Sequence, residues 1–366
     1  MLKCGIIGLP LSGKTTVFNV ITRAGAEVKP YAGGRTEPNR ALVNVPDVRF
    51  DKLVEIFKPK SEKPADVEFV DLAGLSKDAG KGAGLGNSFL SFVSESDALL
   101  HVIRVFNNPS VPHPENNIDP LRDWNIVEAE LIYSDLGKIG NRITRLEEKV
   151  TKKKITPDEK NELELLKNLQ DFLLNERPLR EYGLTEEQKR MLSGFAFLTL
   201  KPELIVLNLD ETQTAEDIPE LKNLNQEMAK RNLKTARVYG SIEMELEQLE
   251  PDERAEFMKD LSISEPGRDR LIHEAYKLLG LISFFTSGSD EVRAWTLHDG
   301  ANAVEAAGAI HSDLARGFIR AQVVSYDDFI ANNASISACR DKGVLRLEGK
   351  EYTVKDGDMI EIRFNV

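Results

Sequence analysis

An α/β fold interrupted by a helical insertion and followed by a small α+β domain is what this 366-residue chain predicts. Three observations carry that expectation. Apolar, strand-like runs alternate with helical segments through the first third. A long helical stretch with an aliphatic seam then separates that third from a further buried strand. From Ile282 onward the pattern shortens to period-two segments between Gly and Asp turns.

The alternation opens with a strand at Lys3 to Gly8 and a helix from Lys14. It continues through a strand at Arg40 to Val45, a helix at Val48 to Phe57, and strands at Asp66 to Asp71 and Ala98 to Phe106. That alternation argues for an α/β sheet with crossover helices. The next buried run, Pro202 to Asn208, arrives only after the insertion.

Within the insertion Ile132, Leu136, Ile139, Ile143, Leu146 and Val150 recur at alternating steps of four and three, the spacing of a coiled-coil seam. Thr156-Pro157-Asp158-Glu159 starts a second helix: Thr156 can cap, Pro157 suits the first helical position, and Glu159 can close a capping box. Leu163, Leu166, Leu169 and Leu173 continue it. The short link Lys152 to Ile155 makes an antiparallel hairpin with a lysine-rich tip, and Thr185-Glu186-Glu187-Gln188 signals a third helix leading back to the sheet. A helix near Ile218 to Asn232, a strand at Thr235 to Tyr239, and helices near Pro251 to Leu261 and Glu265 to Leu279 follow. In the last part Val292 to Leu297, Gly317 to Val324, Glu351 to Val354 and Met359 to Phe364 are the expected strands, with one helix at Asn302 to Leu314.

Composition narrows the classes of function. A formal net charge of −12 argues against wholesale nucleic-acid binding, which relies on Lys and Arg neutralising phosphates, so any RNA contact is local. Lys149, Lys152, Lys153 and Lys154 form one basic cluster; Arg316, Arg320, Arg340, Lys342, Arg346 and Lys350 gather in another. No apolar run reaches membrane-spanning length, and Met1 lies almost directly before a strand, so neither a membrane segment nor a signal peptide is expected and the location expected is cytoplasmic. Cys4 and Cys339 lack metal-like spacing, as do the five histidines.

The chemistry begins at Gly8-Leu9-Pro10-Leu11-Ser12-Gly13-Lys14-Thr15. The pattern G-x-x-x-x-G-K-[ST], set between a strand and a helix, is a phosphate-binding loop. Its glycines let backbone N–H groups close around phosphates, Lys14 meets β/γ charge, and the Thr15 hydroxyl can ligate Mg²⁺. The strand Val67 to Asp71 ends in Asp-x-x-Gly, where Asp71 would serve Mg²⁺ and the Gly74 amide would sense the γ-phosphate. The glycine-rich Gly80 to Gly86 stretch is a natural switch segment. A glutamine that would orient the attacking water is replaced by Leu75, which makes His113, in the proline-flanked loop Asn107 to Pro120, the candidate to supply a polar group.

Base recognition falls to Asn208-Leu209-Asp210-Glu211, where guanine-binding proteins carry Asn-Lys-x-Asp. Glu211 is longer than that aspartate, Leu209 replaces the lysine stem, and the Asn208 amide suits an adenine edge. Adenine is favoured, while Asp210, one residue before the aspartate's place, keeps guanine open.

These motifs, with Lys81 to Asn87, Glu291-Val292-Arg293-Ala294-Trp295-Thr296, Gly317-Phe318-Ile319-Arg320-Ala321, Lys355-Asp356-Gly357-Asp358 and Phe364-Asn365-Val366, together resemble the Obg-like ATPases of YchF type. The resemblance covers essentially the whole chain. It implies a discontinuous Ras-like P-loop G domain at 1–124 and 196–281, a helical coiled-coil insertion at 125–195, and a ubiquitin-like β-grasp TGS domain at 282–366. Family members hydrolyse ATP in preference to GTP and associate with ribosomes, especially the large subunit; a monomer is expected here. Leu11, Ser12, Gly13, Lys14, Thr15 and Thr16 would then surround the phosphates, with Gly240 and Ser241 on the far side of the base, and His113 matches the place of a loop histidine implicated in hydrolysis. Two departures stand out. Leu11 occupies a position where the family usually has the asparagine that helps bind K⁺, so K⁺ dependence is not expected. Thr36 lies one place later than the Mg²⁺-sensing threonine in the family's Thr-Ile-Glu-Pro-Asn segment.

Overall fold

The computed structural model describes residues 2–23, 38–72, 87–210, 218–246, 249, 253, 258 and 265–365. It divides by packing into two units, Met1–Ala41 with Glu68–Leu271 and Leu42–Val67 with Ile272–Val366.

The larger unit is built on a six-stranded sheet. Its strands are β1 (Lys3–Ile7), β2 (Asn39–Asn44), β4 (Asp66–Asp71), β5 (Ala98–Arg104), β6 (Glu203–Asn208) and β7 (Lys234–Val238), in the order β2-β4-β1-β5-β6-β7. The β1 pairings with β4 and β5 are parallel, as are β5 with β6 and β6 with β7. Every residue of β5 and β6 is buried, which is why these strands read as near-continuous apolar runs rather than alternating ones, with His101, Arg104, Glu203 and Asn208 the buried polar exceptions. Ile7, Val70, Leu99 and Phe89 close one side core together with Val127 and Leu131. Ile103, Ile205, Leu207, Leu221 and Leu224 close another around Trp124.

Helix α4 (Pro120–Thr151) leaves this core and becomes half of a hairpin. Asp119 caps it by accepting from the Arg122 N–H, with proline in the first turn. Ile132, Ile139, Ile143 and Leu146 meet Leu165, Leu166, Leu169 and Leu173 of α5 (Pro157–Leu174), so the seam holds as far as Leu146. Val150, at the tip, is exposed. The capping boxes at Thr156 and Thr185 both form. Buried Asp135 ties the hairpin to its return segment by accepting from the N–H groups of Leu198 and Thr199 and from the Thr199 hydroxyl.

The smaller unit carries a mixed sheet of order β11-β10-β12-β8-β9-β3, from β3 (Ser61–Lys63), β8 (Leu281–Ser287), β9 (Glu291–His298), β10 (Phe318–Ser325), β11 (Arg346–Glu348) and β12 (Asp358–Phe364). The helix Ala303–Ile310 covers one face, burying Ala303, Ala306 and Ala307 against Phe284, Val323 and Ile360.

Residues 42–67, which sequence boundaries put in the nucleotide-binding part, pack with this unit. Helix α2 (Val48–Phe57) lies on β8 and β9, β3 pairs in parallel with β9, and Arg49 is held between Asp47 and Asp356 at 2.8 and 2.7 Å.

Three expectations in this unit change. Glu351 to Val354 is not a strand; Thr353 makes a single bridge to Asn302. The helix expected at Asn302 to Leu314 breaks at His311, whose extended backbone and side chain cap a second short helix, Ser312–Arg316. Leu281–Ser287, which buries Leu281, Ile282, Phe284 and Phe285, is an additional strand between β12 and β9. The helix expected at Pro251 to Leu261 falls largely outside the described residues.

Candidate nucleotide site

The parallel strands deliver their carboxyl ends to one edge of the larger sheet, where ligands of open α/β sheets bind. The loop from β1 turns there into helix α1 (Lys14–Thr22) through three residues of positive φ: Gly8 at 143°, Leu11 at 62° and Gly13 at 94°. A side chain at Gly8 would collide with the Val102 carbonyl, and one at Gly13 with the Asn208 amide, so both glycines are required by space as well as by conformation. Leu11 has no such freedom. Holding a branched residue in the left-handed region costs about 1 kcal/mol, and asparagine visits it more readily.

Lys14 is buried, and its ammonium donates to the carbonyls of Gly8 and Leu9 at 3.0 and 2.6 Å. Burial pushes its pKa down to about 8, with Asp71 opposing the shift. The Thr15 hydroxyl donates to Asp71 Oδ2 at 2.9 Å, so two of the three candidate Mg²⁺ residues stand at one point at the end of β4. Asn39 also reaches this carboxylate at 3.2 Å; sequence reasoning gave it no role, although it adjoins the Glu37-Pro38 segment. The Ser12 hydroxyl is buried without a hydrogen-bond partner among the described residues, a polar atom that fits an anion-binding loop. Thr16 stands in the first turn of α1, its methyl facing Gly240.

Asn208 ends β6 and does more than the base-reading expectation gave it. Its Nδ2 donates to the Ser12 carbonyl at 3.1 Å and its Oδ1 accepts from the Gly240 N–H at 3.4 Å. One amide therefore braces the phosphate loop against the start of α8 (Gly240–Leu246), on which Ser241 is exposed. Leu209 is buried in the apolar cluster around Trp124. Gly74, Leu75, Thr36, Glu211 and the Gly80 to Gly86 segment lie outside the described residues.

His113 is enclosed rather than loose. Its Nδ1 accepts the Glu115 N–H at 3.1 Å, so the ring proton sits on Nε2 and is donated to Asp123 Oδ2 at 2.9 Å. Its side chain is 5% exposed. Arg104, at the end of β5, is a second residue that sequence reasoning missed. It is buried, and its guanidinium donates to the carbonyls of Phe106, Asn108, Val111 and Pro112. An arginine closing a seven-residue strand that is apolar but for His101 was the available signal.

Comparison with known proteins agrees with this architecture. Residues 3–132 match the family model described as 50S ribosome-binding GTPase, and residues 281–365 match the YchF-GTPase C-terminal model, described as a protein of unknown function. The chain is 43% identical to the "Ribosome-binding ATPase YchF" of Bacillus subtilis, covering all of both chains. It is also 43% identical to the protein of that name from Haemophilus influenzae, covering 100% of this chain and 99% of the relative. Among solved structures, the YchF GTPase of Schizosaccharomyces pombe superposes with a TM-score of 0.87 at 31% identity, covering 99% of this chain and 97% of that one.

Proposed function

The chain belongs to the YchF family, and on that premise we propose that it is an ATP-hydrolysing P-loop switch whose nucleotide state governs association with the ribosome. One observation carries the chemistry: the loop that holds Lys14 sets the Thr15 hydroxyl on Asp71 and leaves the buried Ser12 hydroxyl without a partner among the described residues. That is the donor set of a triphosphate site. Lys14 and the loop amides hold the phosphates; Thr15 and Asp71 would hold Mg²⁺, which when bound neutralises phosphate charge. Water attacks the γ-phosphorus, the bond to the β–γ bridging oxygen breaks, and ADP and phosphate leave. His113 and the Gly74 amide are the groups assigned to the γ-phosphate side, and Thr36 to the metal. Leu11, Ser12, Gly13, Thr16, Asn208, Leu209, Glu211, Gly240 and Ser241 line the nucleotide.

ATP is favoured over GTP because Leu209, where guanine-binding proteins place a lysine, is committed to the core. Calorimetry with ATP and GTP side by side tests the preference, and tighter GTP binding would make the protein a GTPase. Single-turnover ATP hydrolysis with and without ribosomes tests catalysis: a rate equal to uncatalysed hydrolysis in both would leave a nucleotide-sensing binding module.

The large subunit is the proposed docking partner of a monomeric, cytoplasmic protein, in line with the description of the family model that spans 3–132. Exposed Arg316, Arg320 and Lys342 are the proposed rRNA contacts. Replacing all three by alanine weakens co-sedimentation and flattens its salt dependence, since fewer counterions are released. An unchanged salt series would remove this surface from the contact.

A further inference from the structure

The loop that carries His113 is organised by two side chains to which neither the motifs nor the family comparison gives a role. Arg104 leaves the buried strand β5 next to the phosphate loop: the ideal Cβ position on Gly13 lies 3.7 Å from the Phe106 ring, and the N–H groups of Val105 and Phe106 both donate to the Asn208 carbonyl. From there its guanidinium gathers four carbonyls, Phe106 at 3.2 Å, Asn108 at 3.4 Å, Val111 at 2.8 Å and Pro112 at 3.3 Å, while its planar head lies 4.3 Å over the Phe106 ring. A lysine, with one nitrogen, could not reproduce that fork. The last of these carbonyls belongs to the residue before His113. The loop's backbone is thereby wound around one buried cation, which is expensive to bury unless every donor is used.

Asp123 fixes the ring itself. Its Oδ2 takes the Nε2 proton of His113, while Oδ1 accepts from the Arg122 guanidinium at 2.7 and 3.0 Å, so the carboxylate cannot rotate away. This selects one tautomer and leaves Nδ1 as the nitrogen with a lone pair. Among the described residues that lone pair is covered by the Glu115 N–H at 3.1 Å, the bond that must open for Nδ1 to face a water molecule. Asp119, which accepts the Arg122 N–H at 3.0 Å, lies at the same helix end, with Glu115 and Arg104 on the loop side.

We propose that Arg104 and Asp123 are positioning residues for hydrolysis: Arg104 sets the course of the loop, and Asp123 holds the His113 imidazole so that Nδ1 is the acceptor presented to water. The proposal rests on His113 serving the γ-phosphate side, and the experiment separates the two.

Single-turnover ATP hydrolysis and ATP affinity are measured for wild type, H113A, D123N, D123E, R104K and the double variants R104K/H113A and D123N/H113A. H113A lowers the rate about a hundredfold, within the range of a lost general base. D123N and R104K each lower it at least about tenfold with ATP affinity within about twofold, since displacement of a reacting group costs rate rather than binding. D123E, which keeps the carboxylate, recovers part of the loss. Added to H113A, neither substitution lowers the rate further. If R104K and D123N are silent while H113A is slow, positioning is overturned and His113 stands. A wild-type rate in H113A overturns the reading of His113 itself. If the double variants fall well below H113A, or if ATP affinity collapses with the rate, the two residues support the nucleotide site generally and the proposal fails. Should R104K not fold, D123N, D123E and D123N/H113A decide it.

Discussion

Two buried cations in the larger unit are treated in opposite ways. Lys14 has backbone carbonyls for partners. Arg180, in the segment returning from the helical hairpin, meets two carboxylates instead: Glu128 Oε1 of α4 at 2.9 Å and Glu203 Oε2 of β6 at 3.1 Å. His101 of β5 completes that second cluster on Glu203 at 2.7 Å, and none of the four is appreciably exposed. Burial drives Glu128 up to about 7 against the pull of Arg180; the same burial on Glu203 is overcome by Arg180 and the His101 hydrogen bond, which hold it down to about 2. Burial therefore favours the protonated form of Glu128, while Arg180 and His101 favour the ionised form of Glu203. The chain neutralises its own charge where the hairpin is rooted in the sheet, and leaves the positive charge of the phosphate loop to be answered by a ligand.

The sharpest test is to remove each cation. Arg180→Ala strands a buried carboxylate and costs about 3–5 kcal/mol, read from denaturant unfolding. Lys14→Met acts the other way on the ligand-free protein. A lysine whose folded pKa is lowered binds its proton less tightly folded than unfolded, so it destabilises the fold below about pH 8, and that cost fades as pH rises toward the unfolded value. The substitution raises stability at pH 7 by about 1–3 kcal/mol and abolishes stabilisation by ATP, which in wild type reaches about 2.7 kcal/mol at a hundred times Kd. A large loss of stability in Lys14→Met would erase the contrast.

Glu128→Gln probes the Glu128 proton. A carboxyl with a raised folded pKa contributes stability that is present below its unfolded value and is lost as pH rises through about 7. Wild type should lose of order 1–3 kcal/mol between pH 5 and 8 relative to the variant, whose amide cannot titrate. Parallel stability curves would place the proton elsewhere. The smallest effect is expected from Leu11→Asn, which relieves the left-handed strain at 62° and raises stability by about 0.5–1 kcal/mol in thermal melts.

The nucleotide site was legible in the sequence where its chemistry is local. A glycine-rich turn between a buried strand and a helix needs only its immediate neighbours, so Lys14 and Thr15 could be placed before any coordinates, and Thr156 and Thr185 announced their caps in the same way. What failed to show depends on distant partners. The bracing role of Asn208 did not show because nothing in its local sequence says that Ser12 and Gly240, far away in the chain, will meet its amide. Arg104 ends a mostly apolar strand and Asp123 stands in the polar first turn of a helix, and neither shows what it binds until the fold supplies its partners. The family resemblance, by contrast, drew on motifs spread along the whole chain.

The placement of residues 42–67 has a practical consequence. The smaller unit takes an edge strand and a helix from a segment more than two hundred residues upstream, including the buried Phe50 and Leu53. A fragment cut at Ile272 would lack both, and one ending at Leu271 would carry α2 and β3 with no sheet to join. Neither half can be borrowed for a chimaera by a single cut, and a protease nick near residue 271 should leave two pieces still held together after the peptide bond is gone.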